Sequence, residues 1–230
     1  MTWFSARVAP CTLAASLIAA AMPASADTGP VVAELFTSQA CSSCPPADAL
    51  LRELSRRSDV IALGFHVAYW DGPGWKDPFS SASSTERQRS YARLFGRNQV
   101  YTPQMVVNGA REMVGSDRQS VLQALQSTRA EPVAPVTFAP DRHSVVIDKG
   151  DGHGEVLLVR FAKSRTTRVA GGENAHRTLD DANAVEMLAS LGDWSGTKAS
   201  FTIAPPQDGE GVAVLVQASD GRILGAAAVQ

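Results

Sequence analysis

Short apolar runs and amphipathic stretches follow one another in the first half of the chain. Apolar residues fill Val31 to Thr37 and Val60 to His66, and runs of this length and spacing predict two buried strands. Between them, from Ala47 to Leu54, apolar residues recur at helical spacing. A pair of prolines precedes this stretch, and a first helical turn tolerates proline. The pattern therefore predicts a strand, a helix and a second strand.

Further elements follow up to residue 128. The stretch from Ala68 to Pro78 is polar and rich in aromatic residues, which predicts a long loop. Helices are expected at Ser84–Phe95 and Ser116–Thr128. Between them, Asn108-Gly109 separates two apolar runs and predicts a hairpin with a type I′ turn. This order predicts an α/β fold with a mixed sheet, first parallel and then antiparallel, and helices on both faces.

The pattern changes after residue 130. A proline-rich linker begins at Glu131, and short apolar runs separated by turn residues follow it, which is typical of a β-rich, sandwich-like domain. The stretch Asp181–Leu191 has helical spacing and is followed by Gly192, so a helix is expected there. The predicted strands are Val145–Ile147, Val156–Phe161, Phe201–Ile203, Val212–Gln217 and Ile223–Val229. We therefore predict one domain at residues 27–130 and a second at 131–230.

The N-terminus has the three parts of a secretory signal peptide. Arg7 precedes an apolar run from Cys11 to Ala21, and Ala24-Ser25-Ala26 offers the small residues that signal peptidase accepts. The apolar run is shorter than the roughly 20 residues that a membrane span needs. We expect residues 1–26 to be removed near Ala26 and the product to be periplasmic or secreted.

Composition narrows the possible partners. The 21 Lys and Arg residues nearly balance the 23 Asp and Glu residues, for a formal net charge of −2, which argues against nucleic-acid and anionic-membrane partners. No stretch after the leader is apolar enough to span a membrane, and nothing indicates an oligomeric state.

Of the three cysteines, Cys11 leaves with the leader, so Cys41 and Cys44 remain. Two cysteines this close form too small a loop for stability alone to account for them.

Cys41-Ser42-Ser43-Cys44 lies at the predicted start of a helix. The helix dipole and free N–H groups stabilise a thiolate there, so Cys41 would attack a disulfide and Cys44 would resolve the mixed disulfide. A structural zinc site needs four protein ligands, and the chain has no second cysteine pair. Exported proteins also meet conditions in which disulfides persist. Thiol–disulfide exchange with exported protein or small-molecule disulfides is therefore the leading hypothesis.

Two positions could assist the cysteines. Thr102-Pro103 precedes the hairpin, where thioredoxin-like folds place a cis-proline facing the cysteines. Pro103 would then position a substrate backbone, although an ordinary trans bond is the alternative. Glu34 lies on the strand leading into the motif, where a buried acid could accept the proton of Cys44. A surface-facing or ion-paired glutamate is the alternative.

The predicted loop from Ala68 to Pro78, which we call the aromatic loop, offers a possible substrate surface next to Thr102. His66 ends the second strand, and Trp70 and Trp75 lie within the loop, so the three could form a lid or a recognition surface. In the alternative interpretation both tryptophans cap the core and His66 ends a strand with its ring hydrogen-bonded.

Long motifs resemble a bacterial family of secreted, thioredoxin-like proteins catalogued as a domain of unknown function. They are Val32–Ala47, Phe65–Asp71, Gly74–Phe79, Tyr101–Val107, Gly115-Ser116, Gly172–Asn174 and Arg177–Leu179. The resemblance implies a thioredoxin-like domain followed by a β-rich domain. The chain differs from the family pattern at Ala40, where a glycine is expected, and at Ala68, where an acid is expected. Glu173, Asn174 and Arg177 could bind a ligand, but we expect an interdomain salt-bridge network.

Two other functions remain open. Two thiolates and one imidazole, from Cys41, Cys44 and His66, would suit Cu(I), as in a copper-binding protein or metallochaperone. The order of these residues resembles copper-delivery members of the thioredoxin superfamily, which use a wider cysteine spacing. The third hypothesis is a non-catalytic binding module with a permanent disulfide. The leading hypothesis needs no cofactor.

Overall fold

The structure is a computed structural model that describes residues 1–3, 29–129 and 132–230. The cleavage point near Ala26, nearly all of the leader and the first linker residue, Glu131, lie outside the described residues. Within them, no helix is long and apolar enough to cross a membrane.

The helices are α1 (Pro45–Leu54), α2 (Ala82–Leu94) and α3 (Arg118–Ser127), with a 3-10 turn at Ala68–Trp70. The strands are β1 (Val31–Thr37), β2 (Val60–His66), β3 (Gln104–Val107), β4 (Arg111–Val114), β5 (Val136–Phe138), β6 (Ser144–Ile147), β7 (Gly154–Arg168), β8 (Thr178–Trp194), β9 (Ala199–Thr202), β10 (Glu210–Gln217) and β11 (Ile223–Val229).

Eight strands form one mixed sheet in the order β11-β10-β7-β8-β2-β1-β3-β4. β1 and β2 are parallel along their whole length, with Thr37 opposite His66. β3 runs antiparallel to β1, and β8 joins β2 through a bridge between Gly64 and Ala184. A second sheet of three strands has the order β5-β6-β9. The fold is therefore α/β with a large mixed sheet, as the order of elements predicts.

Local signals place the elements of the first half correctly. β1 and β2 have the predicted bounds, and α1 begins at Pro45, two residues closer to the cysteines than Ala47. α2 is capped by Ser81, whose side chain accepts a hydrogen bond from the backbone N–H of Ser84. The hairpin forms as expected, with positive φ at both Asn108 and Gly109.

Helices cover both faces of the first half of the sheet. Successive side chains of a strand point to opposite faces. Along β1, Ala33 and Leu35 pack with residues of α1 and α3, whereas Val32 and Phe36 pack with Tyr91 of α2. This alternation decides which side chains of β1 can approach the start of α1.

The helix expected at Asp181–Leu191 is wrong, because this stretch belongs to β8. β8 pairs with β7 along almost its whole length and contacts β2 on its other edge. Helix propensity differs by only a few tenths of a kcal/mol per residue. Insertion between two strands gives the backbone partners on both edges and buries Ala184 and Val185. Tertiary pairing therefore overrides the helical pattern.

The three-stranded sheet packs against the second half of the large sheet, and the large sheet is shared with the first half of the chain. Val145 and Ile147 of the three-stranded sheet pack with Val214 and Val216 of β10 and with Trp194 of β8. The large sheet runs on from β8 into β2 without a break. The division into domains at residue 130 stays a prediction.

Candidate functional site

Cys41 and Cys44 form a disulfide at the start of α1. Their Cα atoms are 5.5 Å apart, and Cys44 is the N-cap of the helix. Ser43 Oγ lies 3.3 Å from Cys41 Sγ. Both cysteines are buried, with 1% of Cys41 and 0% of Cys44 exposed, whereas Ser42 and Ser43 between them are exposed. The pair therefore lies just under the surface, where free N–H groups favour a thiolate.

The Thr102–Pro103 peptide bond is cis, as predicted, and it adjoins the disulfide. Cys41 Sγ lies 4.0 Å from the carbonyl oxygen of Thr102. Trp70, in the aromatic loop, donates its indole N–H to Thr102 Oγ1 over 2.8 Å. The structure thus brings together Cys41, Thr102, Pro103 and Trp70 from three separate parts of the sequence.

Trp75 lies farther along the aromatic loop and is half-buried, and its indole N–H has no protein partner. Its Cβ would be 3.7 Å from a Cβ built on Gly172. A Cβ on Gly171 would collide with the carbonyl oxygen of Gly74. The aromatic loop therefore packs closely against the loop at residues 171–177, which we call the covering loop.

The covering loop forms hydrogen bonds with the loop at residues 38–44, which carries both cysteines and which we call the cysteine loop. The Asn174 side chain is buried, and its Nδ2 donates to the carbonyl oxygens of Gln39 and Cys41 at 3.0 and 2.8 Å. Glu173 accepts hydrogen bonds from both the backbone N–H and the hydroxyl of Ser42. Arg177 donates to Asn174 Oδ1. These contacts replace the salt-bridge network that the sequence suggested, and they join the two halves of the chain at the cysteines.

His66 lies in a buried cluster of acids beside the cysteine loop. Its Nδ1 is 2.7 Å from Asp77 Oδ2 and its Nε2 is 3.9 Å from Asp181 Oδ1. Gln39, two residues before Cys41, donates its backbone N–H to Asp77 and its amide N–H to Asp181 at 2.8 and 2.6 Å. The cluster thus connects the end of β2, the aromatic loop and β8 to the backbone that carries Cys41.

The charges in this cluster depend on one another. Burial opposes protonation of His66, but the hydrogen bond to Asp77 and the nearby carboxylates outweigh it and raise the pKa of His66 to about 9. Burial would raise the pKa of Asp77, yet the hydrogen bond and charge of His66 lower it. Burial raises the pKa of Asp181. His66 is therefore a cation at neutral pH, held chiefly by Asp77.

These contacts bear on the copper hypothesis. Both ring nitrogens of His66 face carboxylates, and the stronger contact, to Asp77, uses Nδ1. Among the described residues, no group of three or more His, Cys, Asp or Glu side chains is arranged to hold a metal ion. Cys41, Cys44 and His66 therefore do not form a three-ligand site in this structure.

Comparison with known proteins identifies the family. The profile of the family described as "Protein of unknown function (DUF1223)" matches residues 32–217. The chain belongs to the DUF1223 family. The crystal structure of protein AGR_C_4864 from Agrobacterium tumefaciens is 32% identical, with 88% of this chain and 95% of that chain covered and a TM-score of 0.74. HBP35 of Porphyromonas gingivalis shares the fold at 14% identity and a TM-score of 0.53, over 88% of this chain and 75% of that chain. No curated protein matches.

Glu34 of this DUF1223 protein does not have the predicted role. It lies on the α2 face of β1, opposite the face that packs on α1. One carboxylate oxygen accepts two hydrogen bonds from Arg87, and the other accepts one from the Tyr91 hydroxyl over 2.5 Å. Both oxygens are thus engaged, one in a buried ion pair with Arg87 and the other in a hydrogen bond with Tyr91. The alternative interpretation of an ion-paired glutamate is correct, and Glu34 is not placed to take the proton of Cys44.

Asp48 is one of the acids that sequence reasoning missed. It lies one turn after Cys44 on α1, its backbone N–H donates to the Cys44 carbonyl oxygen, and its Oδ1 accepts the Thr37 hydroxyl over 2.7 Å. Burial raises the pKa of Asp48 to about 7, although His66 and Thr37 act in the opposite direction. The i, i+4 spacing from the second cysteine of the motif is a signal that could have identified it.

Proposed function

We propose that this DUF1223 protein is a thioredoxin-like thiol–disulfide oxidoreductase that acts on exported proteins or small-molecule thiols and disulfides. The observation that carries the proposal is the Cys41–Cys44 disulfide at the start of α1, with Cys41 Sγ 4.0 Å from the carbonyl oxygen that precedes cis-Pro103. A sulfur that must be attacked in line thus lies beside backbone groups that an extended substrate could bind.

The disulfide form would oxidise a substrate dithiol. A substrate thiolate attacks Cys41 Sγ, the Cys41–Cys44 bond breaks, and Cys44 leaves as a thiolate that takes up a proton. The second substrate thiol loses its proton and attacks the substrate sulfur bound to Cys41, which releases Cys41 as a thiolate. The substrate loses two electrons and two protons in forming its disulfide, and the protein gains them as two cysteines. The reverse sequence reduces a substrate disulfide.

Substrate binding would involve the surface around the cysteines. Thr102 offers its carbonyl oxygen, and Trp70 supports it through the hydrogen bond to Thr102 Oγ1. Because Cys41 is almost fully buried, a protein substrate reaches its sulfur only when residues at the edge of the site, such as Ser42, move. We expect small dithiols to react faster than protein dithiols for this reason.

The proposed compartment is the periplasm or the exterior, after removal of a leader near Ala26. Oxidising conditions there would let the Cys41–Cys44 pair cycle between dithiol and disulfide. The proposal requires a reduction potential above about −300 mV, because structural disulfides typically have lower values.

The test is disulfide transfer to a fluorescent dithiol peptide, together with the reduction potential of the pair in glutathione buffers. Wild type is expected to oxidise the peptide stoichiometrically. Cys44→Ser is expected to form a stable mixed disulfide through Cys41 when it is given an oxidised peptide, and Cys41→Ser is expected to form none. Transfer by Cys41→Ser at the wild-type rate, or a potential far below −300 mV, would contradict the proposal.

A further inference from the structure

Cys44 must gain or lose a proton in each exchange cycle, although bulk water does not reach it. None of its surface is exposed, and its backbone caps α1. A buried thiolate without a proton source is a poor leaving group, because burial disfavours the charged form. A proton source for Cys44 must therefore be a titratable group close to it on the α1 side of the sheet.

We propose that Asp48 exchanges a proton with the Cys44 sulfur during disulfide exchange. This inference rests on the proposed function and adds the group that supplies the proton. Asp48 follows Cys44 by four residues in a helix, so the two side chains lie on the same face. Helical side chains also lean toward the N-terminus, which directs Asp48 toward the turn that contains Cys44.

The Asp48 carboxyl is held in place and has a route to solvent. Oδ1 accepts the hydroxyl of Thr37, the last residue of β1, which fixes the carboxyl near the start of the cysteine loop. A cavity of about 220 Å³ adjoins it. The lining of this cavity is Pro45, Asp48, Ala49, Arg52, Arg177, Thr178, Leu179, Asp180 and Asp181. A proton on Asp48 can therefore be renewed from water, which the buried Cys44 sulfur cannot do directly.

The charged neighbours of Asp48 come from five parts of the structure. They are His66 at the end of β2, Asp77 in the aromatic loop, Asp180 and Asp181 in β8, Arg177 in the covering loop and Arg52 on α1 itself. His66 is cationic and favours the carboxylate, whereas Asp77 and Asp181 disfavour it. With burial, the result is a pKa of about 7 for Asp48, so both of its forms are populated at neutral pH. A group with that property can both donate and accept.

The proton transfer completes the exchange step. As the substrate thiolate bonds to Cys41 and the Cys41–Cys44 bond breaks, the carboxylic acid of Asp48 protonates the departing Cys44 sulfur and becomes a carboxylate. Water then returns a proton to Asp48 through the adjoining cavity. In the reverse direction the Asp48 carboxylate takes the proton of the Cys44 thiol as it attacks Cys41. Asp48 transfers only a proton. The two electrons pass from the substrate dithiol, which is oxidised, to the Cys41–Cys44 disulfide, which is reduced.

The experiment measures reduction of the Cys41–Cys44 disulfide by excess dithiothreitol from pH 5.5 to 9, with the rate divided by the thiolate concentration. In wild type the normalised rate is expected to fall about tenfold through pH 7, because the proton donor is lost. Asp48→Asn keeps the size of the side chain and an acceptor for Thr37, so it should be slow at pH 6 and independent of pH. Glu53→Gln, which removes an exposed acid from the same helix, is the matched control and should follow wild type.

The outcomes distinguish failure of the proton-transfer role of Asp48 from failure of the proposed exchange function. If Asp48→Asn keeps the wild-type fall in normalised rate, the role of Asp48 is wrong although the exchange function stands. If wild type fails to oxidise a dithiol peptide, the exchange function itself is wrong, whatever the pH profile. Asp48→Glu provides a second variant if Asp48→Asn does not fold. A shifted midpoint in Asp48→Glu supports the proposal, and a midpoint that stays at the wild-type pH contradicts it.

Discussion

Replacement of His66 by glutamine should remove a pH-dependent part of the protein's stability. His66 is buried, its Nδ1 is 2.7 Å from Asp77, and its pKa is raised to about 9 from an ordinary value of 6.5. A histidine whose pKa is raised by folding binds its proton more tightly in the folded state. Its contribution to stability is therefore complete below pH 6.5 and is lost as the pH rises to 9.

The magnitude follows from the pKa difference. Each pKa unit corresponds to about 1.36 kcal/mol, so a rise of about 2.5 units gives at most about 3.4 kcal/mol. Asp48 adds a fall of the same sign, because its pKa is also raised, but that fall ends near pH 7. The interval from pH 7.5 to 9 consequently isolates His66. There the free energy of unfolding of wild type should fall by about 2 kcal/mol.

The assay is urea unfolding followed by circular dichroism at half-unit steps from pH 6 to 9.5. His66→Gln should be less stable than wild type at pH 6 and should approach it by pH 9.5. His143→Gln, which changes an exposed histidine in a turn, should run parallel to wild type. If the curves of wild type and His66→Gln stay parallel from pH 7.5 to 9, the ion pair with Asp77 does not hold the His66 proton.

Two further substitutions test the packing around the cysteines. Gly115→Ala would put a Cβ 2.7 Å from a Leu35 methyl and should lower the free energy of unfolding by about 1–3 kcal/mol. In the control, Gly72→Ala, the new Cβ meets no atom within 4 Å, so the free energy of unfolding should hardly change. Equal denaturation midpoints for the two variants would refute the prediction. Asn174→Ala removes the donor to the buried Gln39 carbonyl and one of the two donors to the Cys41 carbonyl, so it should cost about 1–3 kcal/mol and speed reduction of the disulfide by dithiothreitol. Exposed Asn98→Ala is the control, and an unchanged reduction rate in Asn174→Ala would contradict the covering role.

Much of the first half could be predicted from the sequence because its signals are local. β1 and β2 are uninterrupted apolar runs, Pro45 and Pro46 mark a helix start, and Asn108-Gly109 supplies the positive φ values of a hairpin. β8 could not be predicted in this way. Its residues favour a helix locally, and only pairing with β7 and β2, distant in sequence, makes it a strand.

The residues of the candidate site show the same difference between local signals and contacts that are distant in sequence. Cys41, Cys44, Thr102 and Pro103 were found because a short motif or a proline marks them. Asp181 was not identified, and Asn174 was considered only as a ligand-binding or salt-bridge residue, because both contact the cysteine loop from more than 130 residues away. Glu34 was assigned wrongly although the information was present. The period of two along β1 puts it on the opposite face from Leu35, and Leu35 packs with α1.

The insertion of β8 between β2 and β7 has a consequence for the order in which the molecule is assembled. Residues 29–129 contain both cysteines, α1 and Pro103, whereas Asn174 and Asp181 belong to the second half of the chain. Until β8 pairs with β2, that edge of β2 has no strand beside it, and the cysteine loop lacks the hydrogen bonds from Asn174. Completion of the large sheet is therefore also the event that encloses the cysteine pair.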